Sequence, residues 1–520
     1  MKLIFVFYFV LLISTSLVGQ GFSKIIDYDP TGQCRNLYVF PGHDYIFTIG
    51  DYIDSARVAI RPFWAKYDYN GKLLKFDTLN DYRDLGIFQF GNGENQYTEV
   101  NDSTIILSAG KYNPNASYLD NYILKINLNN GHIIESTYIN TDTFGFVSCL
   151  SYDNLRNTII AGTGSYEIKN KIEILEFNDK LNLIHRVIAR IDSTQAFAPY
   201  YIRKVNGLYK VVGETSTRSK AISTIGYFTS EIDSIGNIQY FKKLKSSVPL
   251  SGWTLGNKRI YERQDGDFIL GGSYLVNYLP TQRDENVFAH PVRVNSNFDS
   301  IRWELKMYYK PNYLYPYQFY NGLISINNEK EYIGYGDDLD TLSGSCVLYK
   351  FNEDGDSLWY KRIIPGDAKR DSLGWVPTYM AAESPGGGIV VVGCVYDQRR
   401  PDYMVIRSYI MYLDYDGCLI PDCNNIVSAK DIEEGNKKYF NVYPNPMSGQ
   451  IQVLCNYEHE QKYNFTLLNI QSIKVWERII SCHQSDQIFW SIEDIPSGNY
   501  FLQIKDEHGK ILQLEKLIKL

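Results

Sequence analysis

Apolar and polar positions alternate with a period of two along nearly the whole chain, and helical spacing of apolar residues is almost missing. Segments such as WAKYDYNGKLLKFDTL, YILKINLNNGHIIESTY and IEILEFNDKLNLIHRV share one shape. It recurs in FTSEIDSIGNIQYFKKL, VRVNSNFDSIRWELKM, LYKFNEDGDSLWYKRI and YIMYLDYDGCLI. Each is an alternating strand, an Asn- or Asp-led turn often ending in Gly, and a second alternating strand, which predicts a β-hairpin. Before each hairpin runs a short apolar strand that ends in glycine: YIFTIG, TIILSAG, TIIAGTG, YKVVGE, DFILGG, EYIGYG and GIVVVG. A turn and a further short strand, such as NLYVF or YIRKV, precede these. The glycines are Gly50, Gly110, Gly162, Gly213, Gly271, Gly334 and Gly393, at intervals of 60, 52, 51, 58, 63 and 59. Seven units of four strands predict an all-β chain dominated by a seven-bladed β-propeller over residues 21–425.

The seventh unit lacks a fourth strand, because CLIPDC and polar sequence follow its turn. Residues 21–29, GFSKIIDYD, resemble fourth strands elsewhere, such as GKLLKFDTL. The leading strand is therefore expected to complete the last blade and remove the open edge. These units resemble the propeller-like repeats common in secreted bacterial proteins, a likeness specific for architecture and weak for activity.

The 520 residues carry a formal charge of −7 and 44% hydrophobic content, enough for more than one core. Mild acidity without a basic run gives no reason to expect nucleic acid. Lys2, the apolar run LIFVFYFVLLI and a small-residue exit describe a signal peptide over residues 1–20, cleaved near Gly19–Gly21. The run is too short to span a bilayer, and no later stretch is apolar enough. The mature protein is thus expected to be soluble and exported. Among eight cysteines, Cys418 and Cys423 are close enough to bridge, whereas Cys149, Cys346 and Cys394 read as buried thiols.

Beyond Asn425 the composition changes. Residues 426–438 are polar and charged and read as a linker, and residues 439–520 carry six or seven short strands, a compact immunoglobulin-like β-sandwich. This tail resembles the type A C-terminal sorting domain of Bacteroidetes type IX secretion cargo. Pro444, Asn445, Pro446 and Gly449 match its opening motif. Ile495, Pro496, Gly498 and Tyr500 match its middle motif, and Lys516, Leu517, Ile518 and Lys519 its closing strand. The middle glycine of the family pattern is replaced around Gln471–Lys474, and Cys455 and Cys482 lie outside it. The resemblance implies contact with the secretion machinery, later removal of the domain, and release or surface attachment of the cargo. Recurring Asp-Ser or Asp-Thr pairs, Asp233-Ser234 and Asp356-Ser357 among them, also resemble an O-glycosylation acceptor pattern of that bacterial group; turn formation is the other reading.

Candidate chemistry is thin. Asn352, Asp354 and Asp356 in NEDGDS look like the start of a calcium loop, but most copies of this turn lack acids and no bidentate Glu follows at the required spacing, so a tight turn is expected. The seven histidines form no HExxH or HxH, no GxSxG elbow occurs, and no cofactor or metal is expected. Acids near the glycine strands, Glu214, Asp267, Asp337 and Asp397, offer no selectable catalytic pair. Trp253, Trp375 and Tyr379 lie in loop-like stretches and suit stacking on a sugar; packing between blades is the competing reading. Two functions follow: a non-catalytic module binding glycan, peptide or protein, or an exported polysaccharide-degrading enzyme with carboxylates meeting in the channel. The first is preferred.

Overall fold

The structure is a computed structural model. In the first part of the chain it describes residues 22–26, 33–53, 60–79, 85–86, 96–113, 118–139, 145–165, 170–191, 196–218, 223–244, 260–271, 286–289, 291–305, 307–309, 318–338, 345–365, 376–397 and 405–419. Towards the C-terminus it describes 440–443, 450–455, 461–469, 473–482, 487–491, 495–507 and 511–519. The expected leader, the linker, Cys423, Trp253, Trp375, Pro444, Asn445, Pro446 and Gly449 lie outside the described residues. Contacts divide the chain into two units, 1–419 and 420–520.

Unit one is the seven-bladed β-propeller. Blade 1 runs Gln33–Pro41, Ile46–Ile53, Ile60–Tyr67 and Leu73–Thr78, each strand antiparallel to the next. Blades 2 to 6 follow within residues 85–139, 145–190, 196–243, 260–304 and 318–363. First strands of neighbouring blades pack on one another, Gln33–Pro41 against Thr378–Glu383 among them. Blade 7 has Thr378–Glu383, Ile389–Asp397 and Val405–Leu413, and its fourth strand is Phe22–Ile26. Phe22 pairs with Tyr412 and Ile26 with Ser408, so the leading strand closes the ring as its sequence resemblance implies.

The recurring glycine has a backbone cause. In blades 1, 4 and 7 the first strand bulges opposite it, and a Cβ on Gly50, Gly213 or Gly393 would strike the carbonyl oxygen of Arg35, Ala198 or Pro377. The sequence register slips elsewhere. The bulge-facing position is Thr163 in blade 3 and Gly336 in blade 6, in place of Gly162 and Gly334. In blade 2 the first strand is split into Leu85–Gly86 and Tyr97–Asn101. Blade 5 carries an extra two-stranded sheet, Asn286–Ala289 with Met307–Tyr309.

The turns between third and fourth strands, NEDGDS among them, share one hydrogen-bonding pattern. Oδ1 of Asp68, Asn127, Asn178, Asp233, Asn295, Asn352 and Asp414 each accepts hydrogen bonds from backbone N–H groups further along its own turn. Asn352 Oδ1 takes the N–H groups of Asp354 and Asp356, so it is spent on the turn. Among the described residues no group of three or more His, Cys, Asp or Glu is placed to hold a metal ion.

These turns, and those between first and second strands, span a few residues and share one face of the disc. The longer connections, such as 244–259 and 364–377, join strand ends on the opposite face. Among the described residues no helix is long and apolar enough to cross a membrane.

Unit two is a β-sandwich. A three-stranded sheet of Phe440–Tyr443, Gln450–Cys455 and Gln487–Ser491 faces a four-stranded sheet of Lys474–Cys482, Gln461–Asn469, Gly498–Lys505 and Ile511–Lys519. Phe440, Val453, Phe465, Trp490, Leu502 and Leu517 fill its core.

Candidate functional site

In the tail, strand alternation decides which motif residues are structural. Along Gly498–Lys505 the inward positions are Tyr500, Leu502 and Ile504, at 5%, 1% and 0% exposure. The closing strand pairs with it so that Gly498 faces Lys519 and Tyr500 faces Leu517. The Ile495–Pro496 segment leads into this pair and is held twice. Tyr500 Oη donates to Pro496 O at 2.6 Å, and Lys519 Nζ donates to Ile495 O. Lys519 is buried and Lys516 exposed, because positions three apart on a strand point to opposite sides. The middle and closing motifs, far apart in sequence, are thus one physical site. Gln513, which carries no sequence signal, ties the opening strand to the closing one: its Nε2 donates to Phe440 O at 2.6 Å and its Oε1 accepts from Phe440 N at 3.0 Å.

In the propeller, Tyr379 is 8% exposed and sits at the bulge of blade 7 within the apolar cluster shared with blade 1. Cys394 Sγ donates to its hydroxyl at 3.5 Å, and burial holds that phenol well above its usual range. Its surroundings are those of a packing residue. Trp253 and Trp375 fall in sequence between the strands Ile238–Lys243 and Ile260–Glu262 and between Ser357–Ile363 and Thr378–Glu383, outside the described residues. Cys418 is disulfide-bonded, and Cys34, Cys149, Cys346 and Cys394 are reduced and buried.

Several carboxylates are buried beside cations that the sequence does not pair. Arg35 Nε donates to Asp51 Oδ1 at 2.8 Å, with Asp51 1% exposed. Arg186 Nε reaches Glu173 at 2.7 Å, and Arg293 reaches Asp267 at 3.0 Å. Glu176 accepts from Lys204 and Tyr209 at 2.7 and 2.6 Å. Burial alone would push the Glu176 carboxyl up; the hydrogen bonds from Lys204 and Tyr209 outweigh it and hold the group below the usual carboxylate range. Glu262, pinned by Tyr201, Arg203 and Lys210, is lowered in the same way against its own desolvation. Glu214 and Asp337 are buried too.

A ring of seven four-stranded blades, and a two-sheet sandwich later in the sequence, define the class, a β-propeller with a C-terminal β-domain. Residues 441–519 match the family described as secretion system C-terminal sorting domain. The tail is a type IX secretion sorting domain, which indicates contact with that machinery and export to the cell surface or beyond. No curated protein matches the chain. Among solved structures it is similar to the β-propeller domain of the trilobed protease of Pyrococcus furiosus, at 9% identity and TM-score 0.40, covering 73% of this chain and 93% of that one. It is also similar to an acylaminoacyl peptidase of Pyrococcus horikoshii, at 9% identity and TM-score 0.39, covering 81% of this chain and 57% of that one. A GH93 α-L-arabinofuranosidase of Fusarium graminearum is similar at 10% identity and TM-score 0.36, covering 62% and 96%.

Proposed function

We propose that this protein is a secreted or surface-held propeller that binds a glycan, peptide or protein without turning it over. In this reading residues 1–20 direct the chain to the periplasm, the sorting domain takes it across the outer membrane, and the segment 426–438 links the two units. The observation that carries the binding role is the state of the acids. A glycosidase needs one carboxyl held protonated near neutrality beside an ionised partner. Asp51, Glu173, Glu176 and Asp267 instead each form an ion pair with Arg or Lys, and Glu176 and Glu262 are held below the usual carboxylate range. Trp253 and Trp375 are the candidate stacking residues.

The test uses the full-length protein on a glycan array and in a reducing-sugar release assay. Binding that weakens in Trp253→Ala or Trp375→Ala, without sugar release, supports the reading. Release that disappears on a single carboxylate substitution, at Glu214 or Asp337 for example, replaces it with the polysaccharide-degrading enzyme.

A further inference from the structure

The seam where the ring closes contains two reduced thiols. Cys34 is in the first strand of blade 1 and Cys394 in the second strand of blade 7, at 4% and 0% exposure. Both belong to one apolar cluster with Tyr379, Met380, Ile406 and Tyr412. Cys34 Sγ touches both strands of the closing pair: it donates to Ile26 O at 3.7 Å and accepts from Ser408 N–H at 3.4 Å. Ile26 and Ser408 are direct partners across that pair, and Ser408 is in turn the direct partner of Cys394. One row therefore runs Ile26, Ser408, Cys394, with the Cys34 sulfur laid over it from the neighbouring blade. Alternation puts Cys394 on the blade 1 side of its strand, together with Val390 and Val392. One strand spacing, about 4.8 Å, separates the backbone beneath the Cys34 sulfur from Cys394.

We propose that Cys34 and Cys394 are a dithiol pair across the ring seam, which a disulfide oxidant converts into a covalent bond between blade 1 and blade 7. The oxidant is a small or protein disulfide, such as oxidised glutathione or an exported thiol oxidoreductase. One cysteine thiolate attacks a sulfur of that disulfide and displaces a thiolate. The second cysteine thiolate attacks the mixed disulfide and releases the other half. The two cysteines lose two protons and two electrons, and the oxidant becomes two thiols.

The closed seam restrains this reaction. Burial pushes the Cys394 thiol up to about 12, and its S–H is engaged by Tyr379, so thiolate is scarce while the leading strand is docked. When Phe22–Ile26 leaves, Cys34 loses the Ile26 contact and its sulfur is no longer held at the seam. The pair thus converts an opening of the ring into a covalent, reducible link that holds blades 1 and 7 together even without the leading strand.

The full-length protein, incubated with oxidised glutathione in mildly destabilising urea and returned to buffer, is digested without reduction and mapped by mass. The expected product is a Cys34–Cys394 cross-linked peptide, two hydrogens lighter than its parts. A rise in melting temperature of roughly 5 °C is expected, because the bond closes a loop of nearly the whole propeller. Dithiothreitol reverses both changes, and Cys34→Ser and Cys394→Ser each abolish the cross-link. Separate glutathione adducts on the two cysteines, or a cross-link to Cys149 or Cys346, overturns the proposal. The mapping is done on the unsubstituted protein, so it stands even where a serine variant fails to fold.

Discussion

Phe22 lies against Gly71 across the seam of the ring: a Cβ on that glycine would meet the phenyl ring at 2.5 Å. Gly71 holds φ +73° in the last turn of blade 1. The same contact recurs where Trp303 of blade 5 covers Gly355 of blade 6, and where Trp359 of blade 6 covers Gly417 of blade 7. Phe22 belongs to the fourth strand of blade 7, so the seam between blades 7 and 1 is joined as those two ordinary junctions are. Phe22→Ala should cost about 1–2 kcal/mol, the loss of a half-buried ring. Removing residues 22–26 should cost far more and expose the edge of Val405–Leu413 to self-association. Urea unfolding and light scattering measure both, and a deletion as mild as an ordinary terminal trim would refute strand closure.

Gly393→Ala places a methyl group on the Pro377 carbonyl and against the Tyr409 ring, neither of which has room to move. About 3 kcal/mol or more of stability should be lost. Gly207→Ala is the contrast: nothing lies within 4 Å, and only the strain of φ +84° remains, about 1 kcal/mol. Equal losses at the two sites would remove close packing as the reason for the glycine.

Asn352→Ala should cost about 1 kcal/mol by leaving turn amides without their acceptor. Millimolar calcium should leave the melting temperature of the parent unchanged. A calcium-dependent rise that vanishes in the variant would restore the metal reading.

In the tail, Tyr500→Phe should lower stability by about 1 kcal/mol through loss of the bond to Pro496 O. Lys519→Met should likewise act on folding, because the ammonium is buried on Ile495 O. Lys516→Gln, at an exposed position, should leave the melting temperature in place and alter only the exported fraction in a host with the secretion system. Destabilisation by Lys516→Gln, with none from Lys519→Met, would reverse these roles.

Acid should weaken the propeller through Glu176 and Glu262. Both carboxyls are lower in the folded chain than in the unfolded one, so their contribution is complete above the ordinary carboxylate range and fades as pH falls through the folded values. Glu176→Gln should flatten the acid limb of a stability–pH curve. An unchanged slope below about pH 4.5 would show that Lys204 and Tyr209 do not hold the charge.

The architecture was legible because every blade repeats one local grammar: an alternating hairpin, an Asx-led turn, an apolar strand running into glycine. Even the closing strand was readable, since GFSKIID has the outward-polar pattern of a fourth strand. The glycine register was less so. Thr163 tolerates the bulge-facing position in blade 3, and Gly334 in blade 6 mimics its neighbour Gly336. The polar pairs were hard to read because their members lie on separate strands or separate blades: Arg35 bonds Asp51 across 16 residues, Tyr201 bonds Glu262 across 61, and Arg263 bonds Glu353 across 90. In the tail, Ile495, Tyr500 and Lys519 were found by motif, whereas Gln513 was not, because one amide on an alternating strand looks like any other.

Phe22 is seated beside Tyr412, and the polypeptide departs from blade 7 only a few positions later, past the short turn at Asp414–Cys418. Head and tail of the disc thus emerge side by side on its plain underside.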